Sequence, residues 1–202
     1  MTQIQPTPEP RATPPMPRSN DVQQVAAGVA PQRAEQEAGI AAVLGRIPSG
    51  LFVITWRDDA RDRGMLASWV MQAGFDPPLI TIAVATSRDL LSTIAEGKSF
   101  VVNVLGESQR SLLARFGRPT AVGEDPFAGL AITRTDCGAA AITAATGWLE
   151  CRRCQAASGL PGDSVVAAAG GDHTVVLVEV LAGHRGSEEP PLVHLRRNGL
   201  RY

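Results

Sequence analysis

The chain has 202 residues, 44% hydrophobic and 19% charged, a balance that suits one globular domain with an appendage or two very small domains. Lysine and arginine total 19 against 20 aspartates and glutamates, a net charge of −1, which disfavours a nucleic-acid binder built on a broad basic field. No run of about 18 uninterrupted apolar residues is present, so no helical membrane span is expected.

Seven of the fifteen prolines fall in the first 31 residues, from Pro6 to Pro31. Proline removes a backbone donor and fixes φ, so residues 1 to about 20 are expected to be disordered or polyproline-like. A helix is expected to begin at Ser19, Asn20 or Asp21, all good N-caps, and to break near Pro31. A second should cover 32–44, with Ala34, Ala38, Ala41, Ala42 and Leu44 on one side. The expected organisation is therefore a Pro/Ala-rich extension over 1–38 and a folded domain over 39–202. The N-terminal stretch lacks a basic start followed by an apolar run. Three cysteines, Cys137, Cys151 and Cys154, are a small odd count that points to a reducing compartment, and the cytoplasm is expected.

From Ile47 the pattern turns to short β-prone runs. Leu51 to Trp56 reads as a strand. The stretch Arg57 to Gly64 carries three positive and three negative charges and reads as a solvated hairpin loop. Met65 to Met71 reads as the second strand, Phe75-Asp76-Pro77-Pro78 as a turn and Leu79 to Ala85 as the third strand. Ser87 to Gly97 has a serine fit to cap a short helix and a glycine placed to end it. A fourth strand over Ser99 to Leu105 precedes a short helix, Glu107 to Phe116, stopped by Gly117 and Pro119. Residues 118–145 read as irregular, with weak strand signals at Leu130 to Thr133. Gly147 to Cys154 alternates, Leu149 and Cys151 facing one side and Glu150 and Arg152 the other, as in a half-buried strand. Residues 155–172 are rich in glycine and small side chains and read as a long loop or hairpin; His173 to Leu181 is a sixth strand, and 192–202 holds a last short one. Six or more short strands with few short helices predict a mainly β, closed or partly closed antiparallel barrel.

Several segments stand in a telling order: Ile47-Pro48-Ser49-Gly50-Leu51-Phe52-Val53-Ile54-Thr55, Gly64 to Val70, Asp76-Pro77-Pro78-Leu79, Phe100-Val101-Val102-Asn103-Val104-Leu105, Leu149-Glu150-Cys151-Arg152 and Gly171-Asp172-His173. Together they resemble the flavin reductase-like family, whose fold is an FMN-binding split β-barrel. Met65 to Val70 and the ending Val193-His194-Leu195-Arg196 look closest to the C-terminal flavin reductase domain of cyanobacterial flavodiiron proteins. The resemblance covers about 40–202, a length that leaves no room for diiron or flavodoxin modules, so a reductase domain standing alone is expected. It implies an NAD(P)H:flavin reductase that transfers a hydride from NAD(P)H to FMN or FAD. Reduced flavin or electrons would then pass to free flavin, a partner monooxygenase or a diiron protein. It also implies a homodimer with flavin near the subunit interface. Two alternatives stay open: a pyridoxamine-phosphate-oxidase-like enzyme, and a flavin- or haem-binding split barrel without turnover.

The resemblance places phosphate contacts at a strand-to-helix junction, here Ser87-Arg88, where a hydroxyl, a guanidinium and helix-start amides coincide. The plainer alternative is an N-cap beside a surface arginine, and Asp89 is an awkward neighbour for a dianion. The strand Met65-Leu66-Ala67-Ser68-Trp69 would contact the ring system through its main chain, small side chains permitting close approach; tight strand packing permits the same residues. Trp69 would either stack near the flavin or fill core or interface. His173, after Gly170-Gly171-Asp172, would lie near the flavin and nicotinamide rings, as a hydrogen-bonding or proton-supplying group, or else be an ordinary strand-entry histidine. Asn103 would order the site or satisfy buried backbone. Cys151 and Cys154, three apart on a strand, point to opposite faces and are expected to pack rather than bind metal.

Overall fold

The structure, a computed structural model, describes residues 33–59, 61–121, 123–154 and 171–200, and the backbone of 165–167. The expected helix after Ser19 and most of the 155–172 loop lie outside the described residues. Two compact units are formed, one whose described residues are 33–46 and 197–200, the other Ile47–Arg196. In the first, helix α1 (33–44) agrees with the predicted 32–44. The carbonyl of Ala41 accepts from Gly45 N–H at 3.0 Å and from Gly199 N–H at 2.9 Å. Gly199 has no room for a side chain, because a Cβ there would stand 2.2 Å from that of Leu44.

The second unit is built on strands β1 (Ser49–Gly50), β2 (Phe52–Asp58), β3 (Arg61–Ala67), β4 (Val70–Phe75), β5 (Pro78–Ala85), β6 (Phe100–Val104), β7 (Ile132–Arg134), β8 (Ala140–Ile142), β9 (Gly147–Arg153), β10 (Val165–Ala167), β11 (His173–Arg185) and β12 (Val193–His194). Helix α2 (Leu90–Ala95) links β5 to β6, and a 3-10 turn, Glu107–Arg110, leads into α3 (Ser111–Phe116). Seven strands run antiparallel in the order β3-β2-β6-β9-β11-β5-β4, with β10 added to β11. The two end strands, β3 and β4, are joined only by Ser68 and Trp69. So short a link holds the sheet's edges within roughly 11 Å of each other. The sheet therefore rolls up, and Ser68–Trp69 is its seam.

Alternation sorts the core. On β2, Ile54 and Trp56 join the inner cluster with Met65, Ile82, Phe100, Val102, Cys151 and Val178, which α2 plugs through Leu90 and Ile94. Leu51 and Val53 point outward into a second cluster under α3, with Leu112, Phe116 and Phe127. Helix α2 ends as its sequence suggests: Gly97 takes φ +70°, and the N–H groups of Gly97 and Lys98 return to the carbonyls of Ile94 and Thr93 at 3.1 Å each.

Five expectations need correction. The charged stretch Arg57–Gly64 is ladder, not loop: β2 and β3 pair out to Asp58↔Arg61, and Arg63–Asp58 (3.5 Å) and Arg57–Asp62 (4.0 Å) pair their charges across the strands. Met65–Met71 is two strands broken at the seam. Helix α2 starts later than expected, with Asp89 rather than Ser87 at its N-cap and no side-chain cap bond. Residues 118–145 contain the β7–β8 hairpin, which lies against the barrel where the hydroxyl of Thr55 donates to the carbonyl of Ala140 at 2.5 Å. That hairpin and the turn before β8 also cover the outer face of β9, so Glu150 is buried and accepts from the N–H of Cys137 at 3.2 Å.

Candidate functional site

The seam gathers polar groups from four separate stretches of chain. Trp69 continues the pairing of β4 with β5, its carbonyl accepting from Ala83 N–H at 2.9 Å. This fixes the backbone of the indole, whose residue is 39% exposed on the outer face. Across β5, His173 is in register with Ala85, and its ring meets the Trp69 indole edge-on with centroids 4.7 Å apart. The imidazole Nδ1 lies 2.9 Å from Asp172 Oδ1, a bond that lowers the Asp172 pKa. An ionised carboxylate only accepts, so Nδ1 is the donor in this bond. The His173 side chain is 13% exposed and that of Asp172 is 94% exposed. Thr86 ties this strand entry to the end of β5, its N–H and its hydroxyl both donating to the Asp172 carbonyl, at 2.9 and 3.3 Å.

Arg196 closes the group from the far end of the chain. Its Nη2 donates to the buried Ser68 Oγ at 2.5 Å, and its guanidinium carbon lies 4.5 Å from the Trp69 ring centroid. Next to Thr86, the turn Ser87-Arg88-Asp89 leads into α2. Arg88 N–H donates to Ala85, while Leu91 and Ser92 N–H return to Arg88 and Asp89. Among the described residues the amides of the exposed Ser87 and Asp89, on either side of Arg88, make no hydrogen bond, while Leu90 is fully buried.

Of the residues singled out by sequence, Trp69, Ser87, Arg88 and His173 fall at this end of the barrel, with Ser68 buried beneath Arg196. Met65 and Ala67 point inward to the core, and Leu66 packs in the outer cluster, so they reach the seam only through backbone. Asn103 stands apart. It is fully buried, its Nδ2 donates to the Val53 carbonyl (3.0 Å) and the Thr55 hydroxyl (3.4 Å), and its Oδ1 accepts from Ile142 N–H (2.7 Å). Its polar groups tie β2, β6 and β8 together, and none of these contacts is with the seam group. The sequence alone does not mark Arg196 as a site residue, because its partner Ser68 is 128 positions away; its place in the Val193–Arg196 motif is the one signal. Cys151 faces the inner core, where desolvation, with the Glu150 charge behind it, pushes its thiol up to about 12.

Residues 44–200 match the family described as flavin reductase like domain. Among curated proteins, a putative diflavin flavoprotein A 3 of Synechocystis is 34% identical over 160 residues, which is 79% of this chain and 25% of that protein. Diflavin flavoprotein A 1 of Synechocystis is 39% identical over 109 residues, 54% of this chain and 19% of the relative. The chain thus spans about a quarter or less of these relatives' length. Among solved structures, the NADH:FAD oxidoreductase SgcE6 of Streptomyces globisporus, in complex with NAD and FAD fragments, superposes with a TM-score of 0.65 at 25% identity, covering 79% of this chain and 87% of that one. A homologue of nitrilotriacetate monooxygenase component B from Mycobacterium thermoresistibile gives 0.66 at 25% identity, over 81% and 85%. A rolled antiparallel sheet with few short helices, a match over most of the length and these relatives agree: the chain belongs to the flavin reductase-like family.

Proposed function

We propose that the chain is an NAD(P)H-dependent flavin reductase whose flavin, FMN in the first instance and FAD as the alternative, binds at the barrel seam. The observation that carries this reading is the convergence of Ser68, Trp69, His173 and Arg196 beside the donor-rich turn 86–90. The donor set suits the ligand. A flavin nucleotide joins a flat aromatic ring to a phosphate, and here an exposed indole and an imidazole share this end of the barrel with two free amides, two hydroxyls and an arginine. When bound, the flavin accepts a hydride from the dihydronicotinamide, a transfer that needs no protein nucleophile.

The chain's own residues then bind and orient. Arg88 and the amides of Ser87 and Asp89 hold the phosphate, with the Asp89 carboxylate at the edge of the cradle. The backbone of 66–69 borders the ring, and Trp69 gives it an apolar wall. Asp172 orients the His173 ring through Nδ1, and the imidazole borders the nicotinamide side. Exposed Met71 and Phe75 on edge strand β4, 71% and 89% accessible, support a homodimer formed beside the site. The likeness to a nitrilotriacetate monooxygenase component supports a monooxygenase as acceptor for reduced flavin; a diiron protein is the alternative acceptor. No helix among the described residues is long and apolar enough to cross a membrane; the cytoplasm is proposed from the cysteine usage alone.

The deciding experiment mixes the protein anaerobically with FMN or FAD and with NADH or NADPH, following flavin bleaching by stopped flow. Rapid bleaching with one pair supports the proposal. A yellow protein that leaves both nicotinamides unoxidised would be a flavin carrier, and a protein without flavin affinity would sink the reading. Arg88→Ala should weaken FMN binding about tenfold, the scale of one charge-assisted contact.

A further inference from the structure

Arg196 occupies a position that binding alone does not explain. Its guanidinium is held in two directions at once, in line with Ser68 Oγ at 2.5 Å and over the Trp69 face at 4.5 Å, and Trp69 in turn is fixed by the Ala83 bond and by His173. Guanidinium stays protonated at any pH the protein meets. The half-buried Arg196 therefore brings a permanent positive charge to the seam. Among the described residues, the stretches that meet at the seam also carry Arg88 and Asp89 on the turn and Asp172, whose carboxylate is exposed and bonded to His173.

We infer that Arg196 sets the redox poise of the bound flavin, stabilising the anionic reduced ring over the neutral oxidised one. This rests on the flavin-reductase reading. In the transfer, a C–H bond of the dihydronicotinamide breaks and hydrogen leaves with both electrons. The nicotinamide is oxidised to its cation, and the flavin ring is reduced and gains one negative charge. A fixed cation next to that ring is worth more after the transfer than before it, and such differential stabilisation favours the forward reaction. A residue that merely held Trp69 in place would support both redox forms of the flavin alike.

The test measures the affinity of the full-length chain for oxidised FMN together with the two-electron potential of the bound FMN, for the wild type, Arg196→Gln and Arg196→Lys. Arg196→Gln should weaken the reduced form about tenfold more than the oxidised form, which appears as a fall of about 30 mV. Arg196→Lys, which keeps the charge but not the planar stack, should hold most of the wild-type potential. A Ser68→Ala variant keeps the guanidinium and loses its anchor. It should give a smaller fall in the same direction, and it carries the test if Arg196→Gln does not fold. Equal weakening of both redox forms, or an unchanged potential in Arg196→Gln and Ser68→Ala, overturns the inference while leaving flavin binding intact. A wild-type chain that binds no FMN overturns the underlying reading with it.

Discussion

Replacing Asn103 with alanine separates a structural role from a cofactor role at one position. The amide bridges three elements: it donates to Val53 on β2, touches Thr55 and accepts from Ile142 on β8, all in fully or nearly fully buried surroundings. Truncation orphans the Ile142 N–H, which costs about 1–3 kcal/mol when no water reaches it. The lost donor to Val53 and the small void beside it raise the total to about 3 kcal/mol. For a chain of this size that lowers Tm by about 6–12 °C. The assay is thermal unfolding by circular dichroism, paired with FMN titration well below the transition. The expected result is a large fall in Tm with an unchanged FMN affinity of the folded protein. A Tm within 2 °C of the wild type would refute the bridging argument, and a stable variant with weakened FMN binding would return Asn103 to the site.

Three further outcomes follow from the geometry. Cys151, whose thiol is pushed up to about 12 by burial, should resist alkylation at pH 8 in the native protein and react only on unfolding, while half-buried Cys137 reacts first; mass spectrometry of labelled peptides reads the order. Glu124 is held down at about 2 by its bond from Arg118, so the stability it contributes is complete above pH 4.5 and is lost as pH falls through about 2. The Tm difference between wild type and Glu124→Gln should shrink over that window, and a difference independent of pH would discount the pair. Gly97→Ala places a Cβ in open space but in a left-handed conformation, so it should cost about 1–2 kcal/mol with no effect on flavin binding. Equilibrium urea unfolding measures it.

The β-branched and aromatic runs were legible because they are buried on one or both faces: β2, β5, β6 and β11 stand where Val, Ile, Leu and Phe predicted strands. What misled was charge and smallness. Arginines and aspartates at 57–63 look like a loop, yet paired across β2 and β3 they extend the ladder. Ala140 and Ala141 carry no strand signal of their own, and they are buried because Thr55 and Asn103 reach out to bind the backbone of β8. Alternation also explains which proposed site residues part company. Val102 points inward on β6, so Asn103 must point outward beneath β8. Met65 points inward for the same reason, into the core rather than toward the seam.

The seam itself follows from a conflict of parity. Ala67 ends β3 facing the inner core, and Val70 begins β4 packed on that same core. Residues three apart on a continuous strand face opposite ways, so the chain cannot pass from one to the other by simple alternation. The register has to break at Ser68–Trp69, and the break turns the indole onto the outer face beside Ala83 and His173. Closing the barrel and exposing a tryptophan are thus one event. An apolar sequence from Met65 to Met71 hides that event, because every residue in it suits a strand. Only the requirement that both flanking residues be buried inside the same barrel reveals that the strand must stop, and that its stopping point is where Ser68, Trp69, His173 and Arg196 meet.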